Sequence, residues 1–429
     1  MQIHAQADSI KELSRFSLHF QSTIIDQYKF PFNAKYSGQN SLSDKEENRI
    51  SITSTLFAGM RLWKHSSVFI NPELAGGEGL SQTLGLAGAT NGETFRIGDP
   101  KPAIYLARLF FQQLINLNTG KKDVNPNIDH FKGEDFNQVE DSISDVYLNF
   151  VIGKISIADY FDDNSFAHDP RTEFMNWALM ASAGWDYPAN TRGYTTSAVV
   201  ELFSKKWEAR AGISMVPKEA NGNMMDENIH KAHSITTELV RNFKLWNKPG
   251  TIRFLGFYTT ARMGNYIQAT KDSAPDITKT RQYGRTKYGW AINIEQFLNE
   301  QSGIFLKYSW NDGKNETWAF TEIDRSLCAG ISWFHLIPKA DDNIALAYVV
   351  NGISNEHQQY LKKGGLGFMI GDGNLNYGYE QILEFYYKIA LKKNNIYLTA
   401  DYQFILNPGY NKDRSGPVNV FSIRTHIRL

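Results

Sequence analysis

Alternation of apolar and polar residues with a period of two, kept up in segments of about ten residues from end to end, limits the fold more than any other feature. Phe16, Leu18 and Phe20 share one face, and Ser17, His19 and Gln21 share the other. Leu56, Ala58, Met60 and Leu62 alternate with Phe57, Gly59, Arg61 and Trp63, and Tyr105, Ala107, Leu109 and Phe111 oppose Arg108 and Gln112. Trp207, Ala209, Ala211, Ile213 and Met215 stand against Glu208, Arg210, Gly212 and Ser214. The chain closes with Phe421, Ile423, Thr425, Ile427 and Leu429 against Ser422, Arg424, His426 and Arg428.

A soluble antiparallel sheet with one wet face would alternate in the same way. Segment length and connection length decide between them. Ten residues at roughly 3.3 Å each, tilted near 40°, span about 25 Å, the height of an outer-membrane apolar band. Lys64 to Ser66, Lys205-Lys206, Asn247 to Gly250 and Lys392 to Asn395 are tight turns. Phe32 to Asn48, Gly77 to Pro102, Val216 to Lys231, Thr260 to Tyr283 and Gly352 to Tyr377 are long. Short turns at one rim and long loops at the other predict an all-β, antiparallel transmembrane barrel. About seventeen segments qualify, whereas a bacterial barrel needs an even number, so the expected range is roughly sixteen to eighteen strands around an aqueous lumen. The short/long rhythm slips between Gly153 and Gly193, where an extra or a false strand is expected.

Composition agrees with a barrel. Mean hydropathy is −0.41 and no apolar run is long enough for a membrane helix, yet only every second residue of a membrane strand meets lipid. Aromatics at 13% suit girdles at two interfaces. A net charge of +0 without a basic stripe argues against nucleic acid as a partner. Cys328 is the single cysteine, which excludes an internal disulfide framework. Ala5-Gln6-Ala7 resembles the end of an export signal, so residues 1–12 are assigned to a signal remnant or periplasmic lead-in and 13–429 to one barrel domain.

Ile155 to Trp177 breaks the alternation. It crowds Asp159, Asp162, Asp163, Asp169 and Glu173 together with Arg171 and His168, and carries Tyr160, Phe161, Phe166, Phe174 and Trp177 as apolar anchors. A long, anchored, acidic loop between strands is expected to fold inward and narrow the lumen. If the apolar faces meet lipid, Arg61, Arg108, Arg210, Arg424, His426 and Arg428 point inward, joined by Arg253; arginine on the lipid face at mid-membrane would cost about 2–4 kcal/mol. Guanidinium and carboxylate groups can hydrogen-bond hydroxyl-rich solutes, and aromatic faces can stack on sugar rings; the same charges could instead pair among themselves and line the wall. Asp159, Asp162, Asp163, His168 and Asp169 also offer hard oxygens and an imidazole suited to Mn²⁺ or Ca²⁺, though in no EF-hand spacing. Asp123 to Ser144 is a second acidic stretch, read as a solvated connection. There is no G-x-S-x-G elbow, P-loop, dinucleotide fingerprint or H-E-x-x-H, and an enzyme is not expected.

The segment from Phe161 through Asp162-Asp163-Asn164, Ala167, Asp169, Arg171 and Phe174 to Asn176 resembles the OprB-like carbohydrate-selective porins. So do Gly59 to Trp63, Asn71-Pro72-Glu73, and Glu384, Tyr386-Tyr387, Asp401, Gln403, Asn407 to Asn411, Arg414, Gly416-Pro417, Arg424 and His426. The resemblance implies an outer-membrane barrel for passive diffusion of sugars, with an arginine-rich constriction. The candidate solute-binding residues are accordingly Arg61, Arg108, Arg171, Arg210, Arg253, Arg424, Asp162, Asp163 and Asp169. Asn91-Gly92-Glu93 and Asp162 to Arg171 are also similar to a branch described as high-affinity manganese porins, so sugar and divalent cation both stand as cargo. Leu429 departs from the aromatic last residue common in barrels. The expectation is a monomer in the bacterial outer membrane, higher oligomers left open, with lipid and the barrel assembly machinery as partners and no cofactor beyond a transported or bound Mn²⁺ or Ca²⁺. A secreted all-β carbohydrate-binding protein or hydrolase is the alternative from another class.

Overall fold

Sixteen antiparallel strands close into a barrel in the computed structural model, which describes residues 13–94, 100–117, 129–131, 135–337, 341–392 and 395–429. They are β1 Phe16–Lys29, β2 Glu47–Trp63, β3 Ser66–Gly77, β4 Ala103–Asn116, β5 Tyr147–Ile155, β6 Thr195–Phe203, β7 Trp207–Met215 and β8 His233–Leu245. Then follow β9 Lys248–Ala261, β10 Arg285–Phe297, β11 Ser302–Asn311, β12 Arg325–Phe334, β13 Asp342–Gly352, β14 Glu380–Lys392, β15 Ile396–Leu406 and β16 Val418–Arg428. Each strand pairs with its neighbours in sequence, and β16 returns to β1 with Gln21 opposite Arg428. Closure leaves no barrel edge unpaired, the condition for strands in hydrocarbon.

The slip in rhythm lies earlier than the sequence suggests. Connection 117–146 sits on the short-turn side with 64–65, 204–206, 246–247, 298–301, 335–341 and 393–395, yet it is far longer. It carries a two-stranded ribbon of Asp129–Phe131 with Asp141–Ile143 where the sequence suggests only a solvated connection. The lead-in assigned to residues 1–12, and residues 123–128 and 132–134 of the acidic stretch, lie outside the described residues.

Alternation translates into an apolar outside. Phe16 and Leu18 are 66% and 68% exposed, and Leu109, Ile213, Leu239, Phe254, Leu306 and Ile423 also face outward. Trp63, Trp207 and Trp246 stand exposed at the short-turn rim and Tyr258, Tyr283, Tyr288 and Tyr379 toward the opposite one, as in two aromatic girdles. Two face assignments change. A bulge in the β3–β4 ladder between Asn71 and Pro72 shifts the register, so Tyr105 points inward and its hydroxyl donates to Glu73. A second bulge between Arg61 and Trp63 turns Trp63 outward.

The lumen is not uniformly aqueous. Inward apolar residues Leu255, Phe257, Ala291, Phe305, Ala347, Ile382 and Tyr386 form one cluster with Phe161, Phe166, Phe174, Trp177, Leu179 and Trp185 of connection 156–194. Phe174 meets Tyr386 edge-on at 5.0 Å, and Trp177 stacks on Phe320 at 4.6 Å. Burying each such ring stabilises the docked loop by about 1.5–3 kcal/mol. Gly303 makes room for this packing: a Cβ there would lie 2.0 Å from the Phe166 ring.

Candidate functional site

Charged side chains on the inner wall hold the loop by its backbone. Glu238 accepts the Asp162 N–H at 2.8 Å, and Glu295 accepts the N–H of Ser165 at 2.7 Å. Glu384 accepts the N–H groups of Met175 and Asn176 at 2.5 and 3.0 Å. Lys307 donates to the carbonyls of Ala167 and Leu179, and Arg424 to those of Pro170 and Glu173 at 2.7 and 2.6 Å. A hydrogen bond to a charged partner is worth about 1.5–3 kcal/mol, so the acid–base faces that alternation turns inward serve first to dock the loop.

Several expected solute-binding arginines are thereby redirected. Arg424 is 1% exposed and occupied by the loop carbonyls. Arg210 lies among Glu201, Glu208 and Glu238, with separations of 3.2, 2.5 and 3.0 Å. Arg253 sits between Glu295 at 3.4 Å and Asp163 at 3.7 Å. Arg61, near the short-turn rim, donates to the carbonyls of Glu140 and Leu13. His426 bonds Thr23 at 2.9 Å, and Arg428 pairs with Asp135. These six contact the wall, the docked loop, Leu13 or connection 117–146 rather than forming a ring around a constriction.

Arg108 and Arg171 do reach open space. The Arg108 guanidinium forms a two-pronged pair with Asp159 at 2.6 and 2.8 Å, joining wall to loop. Arg171 bonds Glu93 at 2.8 Å and Glu73 at 3.2 Å. Both line a cavity of about 470 Å³, together with Asp159, His168, Asp169, Arg192 and the aromatic residues Phe57, Tyr160, Trp177 and Tyr187. Every barrel strand lining it belongs to the β1–β6 arc, while the loop fills the opposite side. The cavity runs from His65, Leu114, Tyr147 and Phe203 at the short-turn rim up to the level of the loop.

Arg192, whose guanidinium lies 4.1 Å from the Tyr105 ring centre, was not among the expected residues. It falls outside the motif that drew attention to the loop, and only the bulge that turns Tyr105 inward reveals its neighbour. Glu73 and Glu93 were likewise missed as partners of Arg171; the stretches Asn71-Pro72-Glu73 and Asn91-Gly92-Glu93 hold them.

The acidic residues do not converge. Asp162 accepts from Ser182 Oγ at 2.8 Å and Asn293 at 2.9 Å, Asp163 is 59% exposed at its side chain, and Asp159 is taken by Arg108. Asp169 accepts the Arg171 N–H at 3.0 Å, and the His168 N–H goes to Glu173. Among the described residues no three acidic, histidine or cysteine side chains gather to hold a metal ion, so the donor set Asp159, Asp162, Asp163, His168 and Asp169 does not fit one. Burial works against the charge on Asp169, but Arg171, with His426 and His168 nearby, holds its carboxyl below the usual carboxylate range.

A sequence model of the carbohydrate-selective porin family, OprB, matches residues 40–429. No curated protein is matched by the chain. Among solved structures, the chain is similar to OprB of Pseudomonas putida in its high-pH structure, with a TM-score of 0.70, 15% identity, and 96% of this chain and 94% of that one covered. It is also similar to the outer membrane channel DcaP of Acinetobacter baumannii, with a TM-score of 0.51, 9% identity, and 96% and 97% covered. At such identities the likeness is one of fold.

Proposed function

Because the chain belongs to the OprB family of carbohydrate-selective porins and lies in the bacterial outer membrane, we propose that the solutes it passes are small neutral carbohydrates. The observation that carries this reading is the balance of charge along the passage. Three guanidinium groups, Arg108, Arg171 and Arg192, border it with three carboxylates, Asp141, Asp159 and Asp169, and Glu73 and Glu93 lie behind Arg171. A passage lined by one sign would concentrate counter-ions; a balanced one offers hydrogen-bond donors and acceptors with little net field. Sugar hydroxyls can both donate and accept, and they exchange water for these groups at small cost. Tyr160, half-buried at the cavity, adds apolar surface for the ring face of a pyranose.

Diffusion then needs no moving part. The solute runs down its gradient past the Arg108–Asp159 pair, and the docked loop sets the width. The separate carboxylates do not favour a divalent cation as cargo. Liposome swelling tests the proposal: glucose and maltose should enter protein-containing liposomes faster than a neutral solute of equal size without a ring, such as mannitol against glucose. Equal rates for ring and chain, or uptake of Mn²⁺ with exclusion of sugars, would overturn it.

A further inference from the structure

The long connection 117–146 on the short-turn side also lines the passage. Its segment from Asp135 onward folds back against the inner wall as a strap. Phe136 stacks on Phe57 at 4.3 Å and 16°, and the Arg428 guanidinium lies 4.6 Å from its ring centre. Asp135 pairs with Arg428 at 3.0 Å, Arg61 donates to the Glu140 carbonyl at 3.0 Å, and Asp141 bonds His65 at 3.0 Å. The Ser14 N–H reaches Glu140 at 2.7 Å. Val139 and Ile143 of the same connection are buried.

Phe136, Asn137, Gln138, Val139 and Asp141 line the same cavity as Arg108 and Asp159. A solute that has cleared the loop therefore meets a second, differently built surface before it leaves. There the polar groups are mostly amides: Gln112 and Asn149 from the wall, Asn137 and Gln138 from the strap. Two of their carbonyl oxygens, Asn137 Oδ1 and Asn149 Oδ1, are buried and find no hydrogen-bond partner among the described residues. Asn149 is 5% exposed, and its amide nitrogen is committed to Glu201 at 2.7 Å, which fixes which atom is the orphan. A buried acceptor without a donor is costly and calls for an O–H or N–H from something that enters the cavity. A hydroxyl-rich neutral solute supplies several.

We propose that this strap builds a second binding subsite at the periplasmic mouth, one that takes a neutral polyhydroxylated ring through amide groups rather than through the charged pairs above it. The proposal rests on the carbohydrate reading and adds to it where the solute is held on the far side of the loop. Phe136, held between Phe57 and Arg428, is the clasp; Asn137 and Gln138 are the recognition groups.

Single-channel recording in planar bilayers, with maltotriose as the probe, tests the subsite. Asn137 has a φ of 54°, so Asn137→Gly removes the amide without straining the backbone, and it is combined with Gln138→Ala. A second variant, Phe136→Ala, opens the clasp while keeping both amides. Heat-modifiable gel mobility confirms that each variant is a folded barrel. The double variant should weaken maltotriose block by roughly tenfold, the scale of one or two lost hydrogen bonds. Phe136→Ala should weaken it as well and raise the open-channel conductance. Block by maltotriose that is the same in wild type and in both variants would overturn the subsite and leave the carbohydrate reading standing. A wild-type channel that neither passes nor binds sugar would overturn both.

Discussion

Arg108 and Asp159 show what single residues contribute here. Their pair spans wall and loop with the side chains of Asp159 34% and Arg108 6% exposed, so each neutralises the other where the carboxylate meets the passage. Arg108→Ala should leave Asp159 uncompensated and tilt the channel toward cations. Asp159→Asn should do the reverse, leaving Arg108 as surplus. A unit charge at contact distance is worth about 1 kcal/mol in water, so the cation-to-anion permeability ratio should move several-fold in opposite directions. Reversal potentials under a salt gradient read this out; shifts of the same sign in both variants would contradict the placement. Asp162 belongs to a different class: it bonds Ser182 and Asn293, and Asp162→Ala should loosen the loop rather than retune ion preference.

At the scale of elements, the docked loop is the part on which width depends. Phe174→Ala should cost roughly 3–5 kcal/mol of docking, and Glu384→Gln should weaken the contacts at Met175 and Asn176. Both should raise single-channel conductance and make it noisier, while conductance equal to wild type would mean that the loop does not set the aperture. Gly303→Val should act similarly by expelling the Phe166 ring. The loop and its aromatic anchors were legible in the sequence because Phe161, Phe166, Phe174 and Trp177 interrupt a polar run. Its partners were not. Inward Leu255 and Phe257 neighbour outward Phe254 and Tyr258, so β9 is apolar on both faces and period-two patterning blurs there. The same blurring recurs where inward Phe305 lies between outward Ile304 and Leu306 and inward Ala347 between outward Leu346 and Tyr348. Acidic and basic wall residues carried no such trace, because an inward glutamate looks the same whether it meets water or a backbone N–H.

For the whole molecule, the alternating pattern decided closure and orientation, since one face of every strand must be apolar at lipid depth. Spin labels at positions 209, 211 and 213 should be relaxed by lipid-dissolved oxygen and shielded from aqueous quenchers; the opposite pattern would invert the barrel. Strand number was less legible, because alternation marks a strand's faces and not the neighbour it pairs with; the short ribbon within 117–146, for one, pairs only with itself. The asymmetry of the lumen, open along β1–β6 and filled along the rest, marks periodicity only through the apolar inward residues of the filled side. It is also the premise of every functional statement made above, and cysteine accessibility tests it most directly. In a Cys328→Ser background, Gln112→Cys lies on the open arc, whereas Ser309→Cys lies under the loop where Ser309 accepts the Gly184 N–H at 2.8 Å. A bulky water-soluble thiol reagent should react with Gln112→Cys and cut the current through reconstituted channels, and leave Ser309→Cys untouched. Rapid modification and block at Ser309→Cys, with Gln112→Cys inert, would place the passage on the wrong side of the barrel.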